Sequence, residues 1–273
     1  METAAAIEKF AQLVSVTNEQ IDTAECAITM CAVLDSTINV NFELSHLDDI
    51  AAGASYRVGP AETPLGQVNA LNEHLFDELG FAGNMGNYYD PQNSLLNHVI
   101  KHRLGIPITL SLLYIDVGAR LGIPLVGVGM PGHFLVRHVQ EDGLYVDPFN
   151  RGVILSEPEC REKFLLINKG MRWDPAFLAP VSPRSLVARM MRNLAAIWTQ
   201  KEELHLAELV LTLLISLQPG EAGHRRDRGM LRLRQGNKTR ALEDLERYVD
   251  PVVRAPDAWY VRRLIERIDE SNS

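Results

Sequence analysis

The sequence predicts an α+β fold followed by an all-α tail. Three observations carry that expectation. Apolar residues recur at intervals of three and four over the first hundred positions, short β-branched or alternating runs replace them between residues 123 and 155, and everything beyond Pro183 returns to a helical period. The organisation that follows is an N-terminal helical region over 1–62, a helix-on-sheet core over 63–178 and helical repeats over 179–273.

Taken in order, Thr17 or Asn18 is expected to cap a helix carrying Ile21, Ala24, Ile28, Cys31 and Leu34, and Ser45 to start a shorter one through Leu47, Ile50 and Ala51. Thr63-Pro64 opens a third through Val68, Leu71, Leu75 and Leu79, stopped by Gly80. The stretch FAGNMGNYYDPQNS reads as an ordered loop, because flexible linkers seldom contain two tyrosines and a phenylalanine. Asn93 or Ser94 then caps LLNHVIKHRLG, and Gly105-Ile106-Pro107 turns directly into ITLSLLYIDVGARLG. That helix is apolar nearly all round and is expected to be the buried centre of the core. LVGVGM, HFLVRHV, GLYVDPF and RGVIL read as antiparallel strands separated by turn residues, a helix follows from Glu157 to about Leu166, and LINKGMRWDPAFLAPVSP marks the boundary.

In the tail, positions about 34 residues apart match: Ala195 with Gly229, Ala207 with Ala241, Leu211 with Leu245. Small residues at such spacing let antiparallel helices approach closely. Pro219 closes the first unit, and Asp257 to Ile268 supplies a closing helix. Trp198 is aromatic where Arg232 stands in the second unit.

The chain has 273 residues, 46% hydrophobic and 23% charged, which excludes intrinsic disorder. Its net charge of −8, and the acids that follow the basic stretch from Arg225 to Arg240, argue against nucleic acid or an anionic membrane as partner. The amino terminus lacks a basic leader and cleavage signal and is expected not to be a signal peptide. The stretches from Leu121 to Val136 and from Leu209 to Gly220 are shorter than the roughly 20 apolar residues a membrane span needs. Cys26, Cys31 and Cys160 are too few and too scattered for a disulfide framework or zinc site, which points to a reducing, cytoplasmic setting. No cofactor and no metal site are expected.

The segment from Gly105 to Gly152 places a buried helix, then His133 at the opening of a strand, then Asp147 in a Val-Asp-Pro setting on the next strand. This order resembles the transglutaminase-like core, a relative of the papain-type cysteine proteases. GIPITLSLLY, LVGVGMPGHFLVRH, LYVDPFNRG and the tail segment RDRGMLRLRQGNKTRALEDLERY together resemble the bacterial Sir-B type proteins, which join such a core to tetratricopeptide repeats. The resemblance covers roughly Leu65 to Ile268. It implies a cysteine nucleophile at the amino end of the central helix, a histidine that takes its proton and an acid that orients the histidine.

Here that helix end reads Ile108, Thr109, Leu110, Ser111, without cysteine. Two readings follow. Either the fold is retained without the usual chemistry, and a repeat-based tail binds a protein or peptide partner, or Thr109 or Ser111 acts as a hydroxyl nucleophile with His133 and Asp147 in a hydrolase or acyl transferase. A buried His133–Asp147 hydrogen bond is equally consistent with a purely structural pair. His98 and His102 lie four apart on one helix and read as solvated residues, and the basic run from His224 to Arg228 reads as a solvated helix face salt-bridged to Glu243, Asp244 and Glu246. The loop holding Tyr88, Tyr89, Asp90, Asn93, Ser94 and Asn97 either packs and caps or lines a cleft facing His133. The repeats either bind a partner on their concave side or dock against the core.

Overall fold

In the computed structural model, residues 2–59, 61–250, 255 and 257–270 are described, so the outermost positions of the expected N-terminal and tail regions lie outside the described residues. Helix α1 (Thr3–Leu13) buries Ala6 and Phe10. Helix α2 begins only at Thr23 and runs to Leu34, capped by Asp22, whose carboxylate accepts the Glu25 amide at 2.8 Å. The expected cap at Thr17 is therefore corrected. Thr17 and Gln20 satisfy each other in a separate 3-10 turn, and Ile21 leaves it extended. Helix α3 spans Val40–Val58 with Asn39 as its cap, so it starts five residues before the expected Ser45, whose hydroxyl instead donates to the Phe42 carbonyl within the helix.

Helix α4 (Pro64–Asn72) opens as expected, with Thr63 Oγ1 accepting the Gly66 amide and Pro64 in the first turn, where no N–H is missed. It widens into a π-helical segment over Glu73–Glu78 and ends at Gly80, whose φ of +74° suits glycine. Strand β1 (Ala82–Gly83) pairs in parallel with β2 (Leu104–Gly105) and so ties the loop to the start of the central helix. Between them α5 (Leu96–His102) has Leu95 at its cap. Asn93 and Ser94 are buried behind it rather than capping it.

Helix α6 (Pro107–Arg120) is the centre of the core, and ten of its 14 residues are buried. Tyr114 is held by a hydrogen bond from its hydroxyl to Asn72 Oδ1 at 3.0 Å. An antiparallel meander follows: β3 (Leu125–Val128), β4 (Leu135–His138), β5 (Tyr145–Asp147) and β6 (Val153–Leu155). Alternation divides its side chains between two cores. Val136 and Val146 face the core containing α6, whereas Leu135, Tyr145 and Leu155 face Cys160 and Phe164 of α7 (Glu157–Ile167). The sheet thus lies between α6 and α7.

The tail forms two antiparallel helix pairs, α8 (Pro183–Gln200) with α9 (Leu204–Leu217) and α10 (Gly223–Arg234) with α11 (Lys238–Tyr248), closed by α12 (Ala258–Glu270). The small residues at the repeat positions are needed by contact: a Cβ on Gly229 would stand 2.8 Å from the Leu245 side chain. Arg232 replaces an aromatic because it is clamped, its guanidinium reaching Glu208 Oε1 and Asp244 Oδ2, both at 2.8 Å. Arg228 grips Asp244 with two 2.7 Å bonds. The basic stretch is therefore salt-bridged to Asp244, as the sequence suggests, but Arg228, Arg232 and Asp244 are largely buried rather than solvated. No helix among the described residues is long and apolar enough to cross a membrane.

One apolar core runs from Ala6 to Leu231 and includes α2, α6, α8 and α9. The segment before α8 is anchored to the sheet, with Pro180 bridged to Val128 and the Val181 amide bonded to the Gly127 carbonyl at 2.9 Å. Leu186, Val187, Met190, Met191 and Leu194 are all buried. Burial of such a set is worth on the order of 10 kcal/mol, as much as a whole domain's net stability. A chain truncated after residue 182 is expected to lose cooperative unfolding and to bind a hydrophobic dye. A single sharp urea transition in that fragment, monitored by circular dichroism, would contradict the shared core.

Candidate functional site

Thr109 is the third residue of α6, whose cap, Ile106, has no polar side chain. The threonine hydroxyl substitutes for one: it accepts the Ile106 amide at 3.1 Å and donates to the Asn93 carbonyl at 2.7 Å. This is the reverse half of a capping box, extended to a second chain segment. Asn93 is itself fixed, its side chain donating to the Asn87 and Tyr88 carbonyls and accepting from Asn84. Ser111 lies two residues further on, about half a helical turn, fully buried, and its hydroxyl has no hydrogen-bond partner.

His133 sits just before β4, and its Nε2 lies 2.9 Å from Asp147 Oδ2 at the end of β5. Adjacent antiparallel strands, with Val136 opposite Val146, bring the two together. A carboxylate can only accept here, so Nε2 carries the proton and Nδ1 is the nitrogen left to take one. Asp147 Oδ2 also receives Lys163 Nζ and Asn150 Nδ2, both at 2.8 Å, and Oδ1 accepts the Asn150 amide at 3.2 Å. Burial alone would raise the Asp147 pKa, but the hydrogen bonds and charges of His133 and Lys163 outweigh it and hold it down to about 2.

Aromatic rings and the tail enclose this pair. Phe149 meets the His133 ring edge to face at 6.0 Å between centroids, and Tyr88 meets Phe149 in the same manner. Gly83 permits this, since a Cβ there would stand 2.6 Å from the Phe149 ring. The loop from Phe81 to Ser94 thus packs towards the imidazole through Phe149. From the tail, Arg189 of α8 donates to the carbonyls of Met130 and His133 at 3.0 and 2.7 Å.

The structure brings together His133 and Asp147 but joins neither Thr109 nor Ser111 to them by a hydrogen bond among the described residues. The three cysteines are buried core residues, and burial pushes each thiol up to about 12. His138 is buried against Gln67, while Arg137 pairs with Asp142 at the surface. His98 and His102 stack at 5.6 Å, with His98 half-buried rather than solvated. Lys163, Phe149 and Arg189 escaped the sequence reading, because nothing in spacing links them to Asp147 or His133. Asn150 left a signal, since an aspartate directly before a proline reads as the cap of a short helical turn, whose third residue, Asn150, gives its amide to that carboxylate.

A buried helix amino end beside a His–Asp pair set by two adjacent strands, the histidine just before one and the aspartate at the end of the next, followed by paired helices in 34-residue register, defines a two-part class of protein. The chain belongs to the transglutaminase-like superfamily, whose model matches residues 43–192, and a tetratricopeptide-repeat model matches residues 194–266. A UPF0162 protein of Xylella fastidiosa strain Temecula1 is 42% identical over 188 residues, 67% of each chain. A UPF0162 protein of Pseudomonas aeruginosa is 33% identical over 185 residues, 67% of this chain and 66% of that one. The mouse F-box only protein 21 is 34% identical over 155 residues, 54% of this chain and 24% of that protein.

Because the folded Asp147 pKa lies below the ordinary aspartate value of about 4, its contribution is complete above that value and is lost as pH falls towards 2. It amounts to roughly 2 kcal/mol. Urea midpoints measured between pH 5 and 2 should fall less steeply with acid in Asp147→Asn than in the wild type. Parallel pH profiles would contradict the assignment.

Proposed function

We propose that this protein is a transglutaminase-like module without acyl-transfer chemistry that acts as an interaction or regulatory protein, its core over 1–178 carrying a partner-binding tail over 179–273. The observation that carries the reading is the Thr109 hydroxyl: at the helix end where the fold's nucleophile belongs, it is bonded to Asn93 and Ile106. The saturated Asp147 supports it, since its four contacts make a self-contained structural knot.

The partner surface is the groove between α8 and α10, a cavity of about 670 Å³ floored by Leu211 and Leu214 and flanked by Arg192, Ala196, Asp227 and Met230. Stacked helix pairs present such grooves to peptides. The occurrence of a similar module as about a quarter of an F-box only protein fits a reusable interaction unit. Three free thiols suit a reducing cytoplasm.

A second reading has one observation in its favour, the unpartnered Ser111 hydroxyl, which would serve a hydrolase or acyl transferase with His133 and Asp147. Acyl-ester and amide turnover separates the two. Wild type and His133→Ala are expected to show the same background rate, while Met230→Arg abolishes partner capture in a pull-down that His133→Ala leaves intact. Turnover lost in both His133→Ala and Ser111→Ala establishes the enzyme instead, and capture unaffected by Met230→Arg removes the groove from the account.

A further inference from the structure

On the face formed by α3, the π-helical segment and α5 lies a second cavity, of about 820 Å³, remote in sequence from the His133 strand and the repeats. Its walls are apolar at Phe42, Ile50, Leu79 and Ile100. Three polar residues on its α5 side, Asn97, His98 and Arg103, each bury an atom without a hydrogen-bond partner: Oδ1, Nδ1 and Nη1 respectively. Buried polar atoms are nearly always paired, so three in one wall call for an explanation.

Arg103 is the most informative. Arg57, Arg120, Arg228 and Arg232 all engage carboxylates, whereas Arg103 forms no ion pair among the described residues. Its guanidinium rests on the Phe81 ring at 4.6 Å, and burial, with no opposing acid, lowers its pKa. Its backbone is left-handed, φ 62°, at a helix end where glycine would be the unstrained choice. The favourable position of a cation at a helix C-terminus accounts for its charge but not for its burial without a partner.

We propose that this cleft binds a small organic monocarboxylate with a planar or alkyl body and a hydrogen-bond donor. The carboxylate pairs with Arg103, the body packs against the apolar wall, and the donor meets Asn97. A planar guanidinium with free donors matches a carboxylate in two-point fashion. A dianion is disfavoured, because Asp35, Glu43 and Asp49 line the same cleft. The Asp35 carboxylate accepts from Thr37 and that of Glu43 faces His46, and none of Asp35, Glu43 and Asp49 forms an ion pair with Arg103 among the described residues.

The probe is 4-hydroxybenzoate, titrated into the full chain and followed by amide chemical shifts, with 4-hydroxybenzamide and phenyl phosphate as neutral and dianionic controls. A ligand of that size in a preformed cleft is expected to bind with Kd of about 1 mM, shifting amides of α5 and α3, with both controls weaker by at least about fivefold. Arg103→Gln should weaken the probe about tenfold while leaving the ligand-free melting temperature unchanged or higher, since it removes a partly buried cation that has no acid partner among the described residues. Three results would overturn the proposal: no saturable shifts at the cleft, equal affinity for the amide or the phosphate, or an Arg103→Gln variant that is well folded and binds as tightly as wild type. Asn97→Leu provides a second arm if Arg103→Gln is unstable. Its unchanged affinity for the probe counts equally against the site.

Discussion

A single hydroxyl joins the parts of this fold that a catalytic site would need to keep free. Thr109 closes the amino end of α6 onto Ile106 and, through the Asn93 carbonyl, fastens the loop that carries Tyr88. Removing it would leave a buried amide and a buried carbonyl unpaired, a cost of about 1–3 kcal/mol for each group. A cysteine nucleophile needs the free amides and positive end of a helix to hold a thiolate. In this chain one of those amides is already taken by the threonine side chain. Under the proposed function, retention of the fold and loss of the usual chemistry would be the same structural event.

The His133–Asp147 pair belongs to a similar economy. Asp147 has no solvent exposure, so its charge must be balanced within the protein. Lys163, contributed by a helix on the other side of the sheet, balances it, and Asn150 fills the remaining acceptor positions. Arg189 then ties the His133 segment to α8, so the helix that forms one wall of the repeat groove also holds the segment that carries the imidazole into β4. The tail is therefore both a repeat array and a structural wall of the core.

Local signals made much of this legible. Thr63-Pro64 and Gly80 bounded their helix, the unbroken apolar run after Pro107 identified the buried axis, and alternating residues from Leu125 to Leu155 gave the meander. The small residues at 34-residue spacing marked the repeats because close helix approach requires them. Errors arose where tertiary context overrode the local pattern. Ser45 read as the start of a shorter helix, yet Asn39 caps a 19-residue helix that packs on α6. Lys163 and Arg189 act across long sequence separations, and the cleft at Arg103 depends on three elements meeting, so no periodicity announces them.

Exposing the full chain to a hydroxyl-directed fluorophosphonate and mapping adducts by mass spectrometry decides whether the amino end of α6 carries a working nucleophile. No His133-dependent adduct is expected at Thr109 or Ser111. A stoichiometric adduct at either residue, lost in His133→Ala while that variant remains folded, would contradict that expectation.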